Sequence, residues 1–179
     1  DRMRKLAISS NDEIVILGSS RTDLELGDGT VLTSPNAAKD DAFIVLLNSA
    51  GSFTRYGLFG GSEAVEGSAA SFSSDGVLHF AINYDEILYL GSTSVGSSGG
   101  DWGYAMLALY PNNQLYLEFA NSADLFLEDI QHDENDLIHF TGSQIMSTMS
   151  LDADVKFWKI DWIDQTQFTF DVETFGSPE

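Results

Sequence analysis

The stretch 43-FIVLLNSAG-51 decides the fold class of this chain. Five consecutive apolar residues followed by a small-residue turn are typical of a strand that is buried on both faces. Degenerate copies begin at Ala105 (AMLALYPNN) and Phe157 (FWKIDWIDQ), so successive starts are 62 and 52 residues apart. Periods of this length are typical of propellers and other arrays. Closing segments recur in step, as FGG at Phe59, FAN at Phe119 and FGS at Phe175.

Each copy divides into four strand-like runs, named A to D in chain order. The first copy has Lys5–Ser10, Glu13–Gly18, Phe43–Leu47 and Phe53–Phe59. The second has Ser68–Phe72, Val77–Ile82, Tyr104–Tyr110 and Gln114–Phe119, and the third has Leu125–Gln131, Asp136–Gly142, Val155–Trp162 and Gln167–Thr174. Short polar links between A and B predict hairpins, and no run has helical periodicity.

The connections between B and C are longer and contain small strand signals of their own, at Leu24–Gly27 and Ile87–Leu90. C runs are apolar on both faces whereas D runs alternate, so D is predicted as an outer strand. The chain is therefore predicted to be a single all-β domain, a β-propeller-like array of about three four-stranded antiparallel blades within a larger propeller or assembly. Its repeats span approximately residues 1–61, 62–121 and 122–179.

The first repeat carries further motifs: 26-LGDG-29, 41-DAFIVLLNSAG-51 and 56-YGLFGG-61. With these residues the segment from Leu24 to Gly61 resembles bacterial β-propeller repeats of the SBBP type, and the following 68-SAASFSSDGVLHF-80 resembles the next strand pair of that family. The match weakens in the later copies, where FGG becomes FAN and FGS. The resemblance implies a bladed β fold in a secreted, cell-surface or periplasmic bacterial protein, and it carries no catalytic residues to transfer.

Composition excludes several classes of function. The chain of 179 residues has 28 acidic and 8 basic side chains, for a formal net charge of -20, which would repel nucleic acid. It has no cysteine, so disulfides and thiolate metal sites are excluded. No stretch approaches the roughly 20 apolar residues of a membrane-spanning helix. Because the sequence begins at Asp1, we expect a processed or excerpted piece of a longer chain.

The acidic loops suggest Ca²⁺ as a ligand, since this ion takes six to eight oxygen ligands. The candidate ligands are Asp133, Asn135 and Asp136, although the spacing is not that of a complete EF-hand loop. The alternative is an ordinary polar turn without metal.

The histidines His79, His132 and His139 have no close metal-ligand spacing. His79 and His139 occupy equivalent places in strand B, as VLHF and LIHF, which predicts a repeated packing role. A Ser-His-Asp set is recognised by geometry, so the sequence leaves it open, although no G-x-S-x-G motif occurs.

Aromatic side chains in the glycine-rich loop 99–103 are candidates for contact with glycans. We predict ligand-binding roles for Asp101, Trp102 and Tyr104, with Trp102 as the most exposed contact. Trp158 and Trp162 share one face of a strand and are predicted to pack between blades.

The predicted function is that of a binding or structural scaffold, in which loops of successive blades form a composite surface. Its partners would be further blades, other protein chains or glycans. Two alternatives stay open at this point: a fragment of a propeller enzyme, such as a polysaccharide hydrolase or lyase, and an accessory subunit of a larger extracellular or membrane-associated assembly.

Overall fold

The computed structural model describes residues 1–34, 38–90, 93–96, 102–121, 125–144, 154–164 and 167–175, the last two as backbone. These ranges contain strands and no helix, and thus no helix long and apolar enough to cross a membrane. The strands are β1 (Arg2–Ile8), β2 (Ile14–Ser20), β3 (Leu24–Glu25), β4 (Val31–Leu32), β5 (Asp41–Leu47), β6 (Phe53–Phe59), β7 (Val65–Phe72), β8 (Leu78–Asp85), β9 (Ile87–Leu90), β10 (Thr93–Gly96), β11 (Trp102–Leu109), β12 (Leu115–Asn121), β13 (Leu125–His132), β14 (Ile138–Gln144), β15 (Asp154–Asp164) and β16 (Gln167–Phe175).

The described strands form three four-stranded antiparallel sheets with one and the same strand order. Sheet I is β1-β2-β5-β6, sheet II is β7-β8-β11-β12 and sheet III is β13-β14-β15-β16. The connection between the second and third strand carries a small hairpin in the first two sheets, β3–β4 in sheet I and β9–β10 in sheet II.

The prediction of an all-β fold built from four-stranded antiparallel sheets is confirmed. Runs A to D correspond to the four strands of each sheet, with C internal and D at an edge. In β5 every residue from Asp41 to Leu46 is buried, as the apolar pattern predicts for a strand covered on both faces. The described sheets do not close into a ring, so the arrangement as propeller blades is taken up below as a proposal.

The three hairpins that join A to B have the same type of turn. In each, the first residue of the turn donates its amide to the carbonyl four positions later, and its carbonyl accepts from the amide three positions later. Its side-chain oxygen accepts from the amide four positions later, at 3.0 Å in all three hairpins. The residue three positions ahead has a positive φ, between 59° and 83°, which asparagine, aspartate and glycine tolerate best. The turns begin at Ser9, Ser73 and Asp133.

Sheet II is buried on both of its faces. Leu78, Phe80 and Ile82 of β8 pack against sheet I, whereas Ala81 of β8 and Met106 of β11 pack against sheet III. Because successive residues of a strand point to opposite faces, each sheet has two distinct surfaces. We call the surface that carries the first and third residues of β2, β8 or β14 the leading face of its sheet, and the opposite surface the trailing face.

The leading faces of sheets II and III pack on the trailing face of the sheet before them. Leu78 and Phe80 define the leading face of sheet II, and Ile138 and Phe140 define that of sheet III. All four are at most 1% exposed. Face-to-face stacking of the sheets therefore provides most of the described core, since burial of apolar area is the main favourable contribution to folding.

A glycine permits a close approach between sheets I and II. A Cβ atom on Gly67 of β7 would lie 2.6 Å from Cγ of Leu17 and 3.0 Å from the carbonyl oxygen of Gly18. Both contacts belong to β2, so β7 can pack this closely on sheet I only without a side chain at position 67.

Substitution Gly67→Ala should therefore destabilise the protein by about 1–3 kcal/mol, because the added methyl group overpacks the contact between β7 and β2. Denaturant unfolding would measure the change. The matched control is Gly57→Ala in β6, whose added Cβ would meet its nearest neighbour, Ile44 Cγ2, at an ordinary 3.5 Å. Equal losses in the two variants would contradict the close packing of sheets I and II.

Candidate functional site

Of the three predicted ligand-binding residues, two lie in the described part of the chain. Asp101 lies outside the described residues. Trp102 begins β11 and is half-buried, whereas Tyr104, two residues further on, is only 2% exposed. Tyr104 belongs to the apolar cluster between sheets II and III, together with Ala81, Met106 and Phe140. Its location is that of a core residue, and it offers almost no surface to a ligand.

Trp102 packs across the boundary between sheets II and III. Its ring lies 4.9 Å from the ring of Phe126 in β13, with an interplanar angle of 39°. Tilted aromatic pairs at this distance are stabilising beyond their buried area. One part of the indole is thus used in packing, and the exposed remainder is what a ligand could contact. The predicted glycan contact of Trp102 stays a prediction.

The predicted calcium ligands lie in the hairpin turn between β13 and β14. Oδ1 of Asp133 accepts from the amides of Asn135, at 2.8 Å, and Leu137, at 3.0 Å, while its Oδ2 contacts His139 Nε2 at 3.2 Å. Asp136 turns the other way and accepts from both the amide and the hydroxyl of Ser74, at the hairpin turn of sheet II. The structure thus assigns these two carboxylates to different partners.

These hydrogen bonds also set the charge state of the two carboxylates. The hydroxyl and the amide of Ser74 lower the pKa of Asp136. Burial opposes the charged form of Asp133, but the hydrogen bonds from Asn135, His139 and Leu137 prevail and lower its pKa. No group of three or more histidine, aspartate or glutamate side chains that could hold a metal occurs among the residues described. Ca²⁺ binding at this turn stays a prediction.

Polar side chains that are hydrogen-bonded across the boundary between sheets II and III form a group that we call the polar seam. Its members are Ser71, Ser74, His79, Asn83, His132 and Asp136, of which His79 and Asn83 are buried. Burying a polar group costs free energy unless the group is hydrogen-bonded. The hydrogen-bond partners of each member therefore decide its contribution to stability and its possible chemistry.

At one end of the seam, the Asn83 side chain clamps the backbone of β13. Its Nδ2 donates to the carbonyl of Leu127 at 3.0 Å, and its Oδ1 accepts from the amide of Leu127 at 2.9 Å. Both residues are buried. The clamp lies at the β-bulge between Leu127 and Asp129, where the backbone departs from the regular pairing with β14. It fixes the position of β13 on sheet II.

At the other end, two histidines from different sheets are hydrogen-bonded to each other. Nε2 of His132 lies 3.0 Å from Nδ1 of His79, and Nδ1 of His132 lies 2.9 Å from Oγ of Ser71. Two neutral imidazoles satisfy this chain if Ser71 donates to His132 and His132 donates to His79. Burial, and then the proximity of His132, lower the pKa of His79 to about 3. Burial is also the main cause that lowers the pKa of His132.

The chain Ser71–His132–His79 contains a hydroxyl and an imidazole at hydrogen-bond distance, as a nucleophilic site requires. In a Ser-His-Asp set, however, the second ring nitrogen faces a carboxylate that stabilises the imidazolium. Here that nitrogen faces another imidazole, and burial disfavours the charged form of both rings. The geometry therefore favours a packing role for this group over general-base catalysis.

His79 and His139 do not share the packing role that their equivalent sequence positions predict. His79 is buried against sheet III, whereas His139 is exposed and its Nε2 contacts Asp133. Both residues lie on the trailing face of their sheets. The trailing face of sheet II is covered by sheet III, and no described sheet covers that of sheet III. The prediction failed because burial depends on the neighbouring sheet and not on the strand itself.

The histidine pair should make stability depend on pH. Since the pKa of His79 falls from 6.5 to about 3 on folding, its contribution is fully present above pH 6.5 and is lost as the pH falls from there toward 3. The free energy of unfolding should drop by up to about 1.4 kcal/mol per pH unit in this window. Denaturant titrations between pH 7.5 and 4.5 would measure the slope, since Asp133 and Asp136 lose their charge only below their ordinary pKa of 3.8.

The substitution His79→Gln should flatten this slope, because the amide does not titrate. Its matched control is His139→Gln, at the equivalent position of the exposed face, which should leave the slope as it is. A slope that is unchanged in the His79 variant, or flattened equally in both, would contradict the account of the pair.

Comparison with known proteins adds no family to this description. No model of a known protein family matches the chain, and no curated protein matches it. The resemblance to bacterial SBBP-type repeats therefore stays a prediction from the sequence.

Proposed function

We propose that this chain is a bladed β module of the propeller type that acts as a binding and structural scaffold. The observation that carries the proposal is the repeated use of one interface. Leu78 and Ile138 hold the same place in the hairpins of sheets II and III, paired with Phe72 and His132 respectively, and each packs on the sheet before it. A chain that stacks equal sheets in one direction is organised to hold surfaces and loops in fixed positions.

Contacts between the A strands support a wedge-shaped arrangement of the sheets. Arg4 of β1 pairs with Glu66 of β7 at 3.0 Å, and Lys5 of β1 pairs with Asp129 of β13. The A strands of all three sheets thus lie within reach of one another. Equal sheets that converge at their inner strands are the components of a propeller.

A groove of about 520 Å³ lies between the D strand β6 of sheet I and sheet II, and its walls include Leu58, Phe59, Leu109 and Leu115. Contact between the A strands together with open space beside a D strand is compatible with radial packing of these two sheets. The proposal places the module in a secreted, cell-surface or periplasmic bacterial protein, on the strength of the sequence resemblance.

The binding role would be exercised through loops and through end faces of the stack, with further sheets, other proteins or glycans as partners. Residue Trp102 is the proposed aromatic contact for glycans, because part of its half-buried ring is left exposed beside Phe126. The acidic surface is compatible with a scaffold that has to stay soluble while exposing many strands.

Incubation with a panel of soluble polysaccharides tests this function. We expect binding without release of reducing ends or acyl products, and about tenfold weaker binding in Trp102→Ala, because one lost aromatic contact is worth about 1.4 kcal/mol. Titration by intrinsic fluorescence or calorimetry would measure affinity. The matched control is Tyr89→Ala, an exposed aromatic residue on β9. Turnover of any polysaccharide by the unmodified chain would show that the protein is an enzyme and would contradict the proposed scaffold function.

A further inference from the structure

Strand β12, the outer strand of sheet II, exposes apolar side chains on both of its faces. Leu115, Tyr116 and Leu117 are 44%, 47% and 39% exposed. Leu115 pairs with Leu109 and Leu117 with Leu107, so both extend the leading face of the sheet, whereas Tyr116 lies on the trailing face. Consecutive apolar side chains are typical of an internal strand, and β12 carries them at an edge.

The outer strands of the other two sheets do not have this pattern. Strand β6 carries Arg55, and β16 carries Asp171 and Glu173. Charged side chains on an edge strand disfavour its pairing with another chain. In sheet II, by contrast, residues 102–117 contain no charged side chain. Because the net charge of -20 makes two copies of the chain repel each other, contact costs least at such an uncharged edge.

The backbone of β12 has its hydrogen-bonding groups in the phase that further pairing requires. Across the turn before β12, the amide of Tyr110 donates to the carbonyl of Gln114 at 2.9 Å. Opposed residues of antiparallel strands alternate between pairs that exchange hydrogen bonds and pairs that do not. In the observed register Tyr116 therefore bonds to β11, whereas Leu115 and Leu117 direct their amides and carbonyls away from it. Among the described strands, none pairs with this outer edge.

The sequence of this edge is self-complementary. The segment 114-QLYLE-118 reads almost the same in both directions about Tyr116. Two antiparallel copies related by a two-fold axis at Tyr116 place Leu115 opposite Leu117 of the second copy, and each such pair exchanges both of its backbone hydrogen bonds. The same axis places Glu118 opposite Gln114 and not opposite the second Glu118. Like charges are thus kept apart, as stable cross-strand pairs require.

We propose that β12 is an interface at which a second copy of this chain pairs, antiparallel and about a two-fold axis at Tyr116, so that sheet II continues from one copy into the other. Leu115 and Leu117 of the two copies then cover one another on the leading face, and the two Tyr116 rings meet on the trailing face. Strand addition at a sheet edge combines main-chain hydrogen bonds with side-chain contacts in this way. The inference goes beyond the proposed scaffold function and does not depend on it.

The place of β12 in the fold favours a closed dimer. Sheet II is the middle sheet of the described stack, so its outer edge is not one of the end faces on which a further sheet would pack. Its opposite edge, β7, contacts β1 and β13 and offers no second edge for pairing. One self-complementary edge on each chain closes as a dimer. The β-bulge after Leu117 keeps the regular pairing short, so we expect the dimer to dissociate on dilution.

Light scattering coupled to size-exclusion chromatography over a hundredfold range of concentration tests the proposal. We expect a dimer at high concentration for the unmodified chain and a monomer throughout for Tyr116→Glu, because the axis sets the two added charges directly against each other. The matched control is Tyr89→Glu on β9, where the tyrosine is comparably exposed, and this variant should stay dimeric. Circular dichroism should show an unchanged fold for both variants.

Oxidative cross-linking tests the register, since the chain has no cysteine of its own. In the proposed pairing the two Cα atoms of residue 116 lie about 4.5 Å apart, within the range of about 4.4–6.8 Å that disulfides span. The variant Tyr116→Cys should therefore form a covalent dimer, read on a non-reducing gel. The matched control Leu115→Cys should not, because its two Cα atoms lie more than about 7 Å apart in this register.

Four outcomes would overturn the proposal. They are a monomer at every concentration for the unmodified chain, a dimer that persists in Tyr116→Glu, equal cross-linking of the two cysteine variants, and open-ended oligomers in place of a dimer. None of them bears on the scaffold function, which is tested by polysaccharide binding without turnover. Conversely, turnover by a chain that dimerises through β12 would refute the scaffold function and would not affect the interface.

Discussion

The constraint on which the structure depends is that sheet II has to be covered on both faces. Its strand β8 places Leu78, Phe80 and Ile82 toward sheet I and His79, Ala81 and Asn83 toward sheet III, and all six are buried. Neither face could be left in water without exposing apolar surface, because Tyr104 and Met106 of β11 lie on the same face as Ala81. Face-to-face stacking is therefore a requirement of the sequences of β8 and β11, and the positions of the flanking sheets follow from it.

The two interfaces of sheet II differ in their polar contacts. The one with sheet I has a large apolar cluster and depends on the close packing of Gly67 on Leu17, and its polar contacts include an ion pair between β1 and β7. The one with sheet III adds the polar seam, in which Asn83 clamps the backbone of Leu127 and His79 meets His132. Apolar packing is tolerant of small shifts, whereas satisfied buried hydrogen bonds select one register. We accordingly expect the histidine pair of the seam to make this half of the stack sensitive to pH.

Strand positions could be predicted from the sequence because their signals are local. The run Phe43–Leu47 is apolar without a break. The turns at Ser73 and Asp133 begin with the capping oxygen that the hairpin needs, and they have Gly76 and Asp136 where it needs a positive φ. Contacts between sheets could not be predicted in the same way. The partners His79 and His132 are 53 positions apart, and nothing in either strand specifies the other.

Sites were harder to predict than strands for the same reason. Tyr104 lies two residues from Trp102 on the same face of β11, yet Tyr104 is covered by sheet III and Trp102 is only partly covered. His79 and His139 have matching sequence contexts and opposite exposure. In each case the neighbouring sheet determines how exposed the side chain is. A sequence pattern with period two indicates which residues share a face, but it does not indicate what covers that face.

Thiol labelling of single-cysteine variants tests the stacking of the sheets most directly, because the chain contains no cysteine of its own. The variants are Leu78→Cys and His79→Cys in sheet II, and Ile138→Cys and His139→Cys in sheet III. Under native conditions the account predicts protection at the first three positions and rapid labelling at His139 alone. Rapid labelling of either position in sheet II, or equal protection at Ile138 and His139, would contradict it.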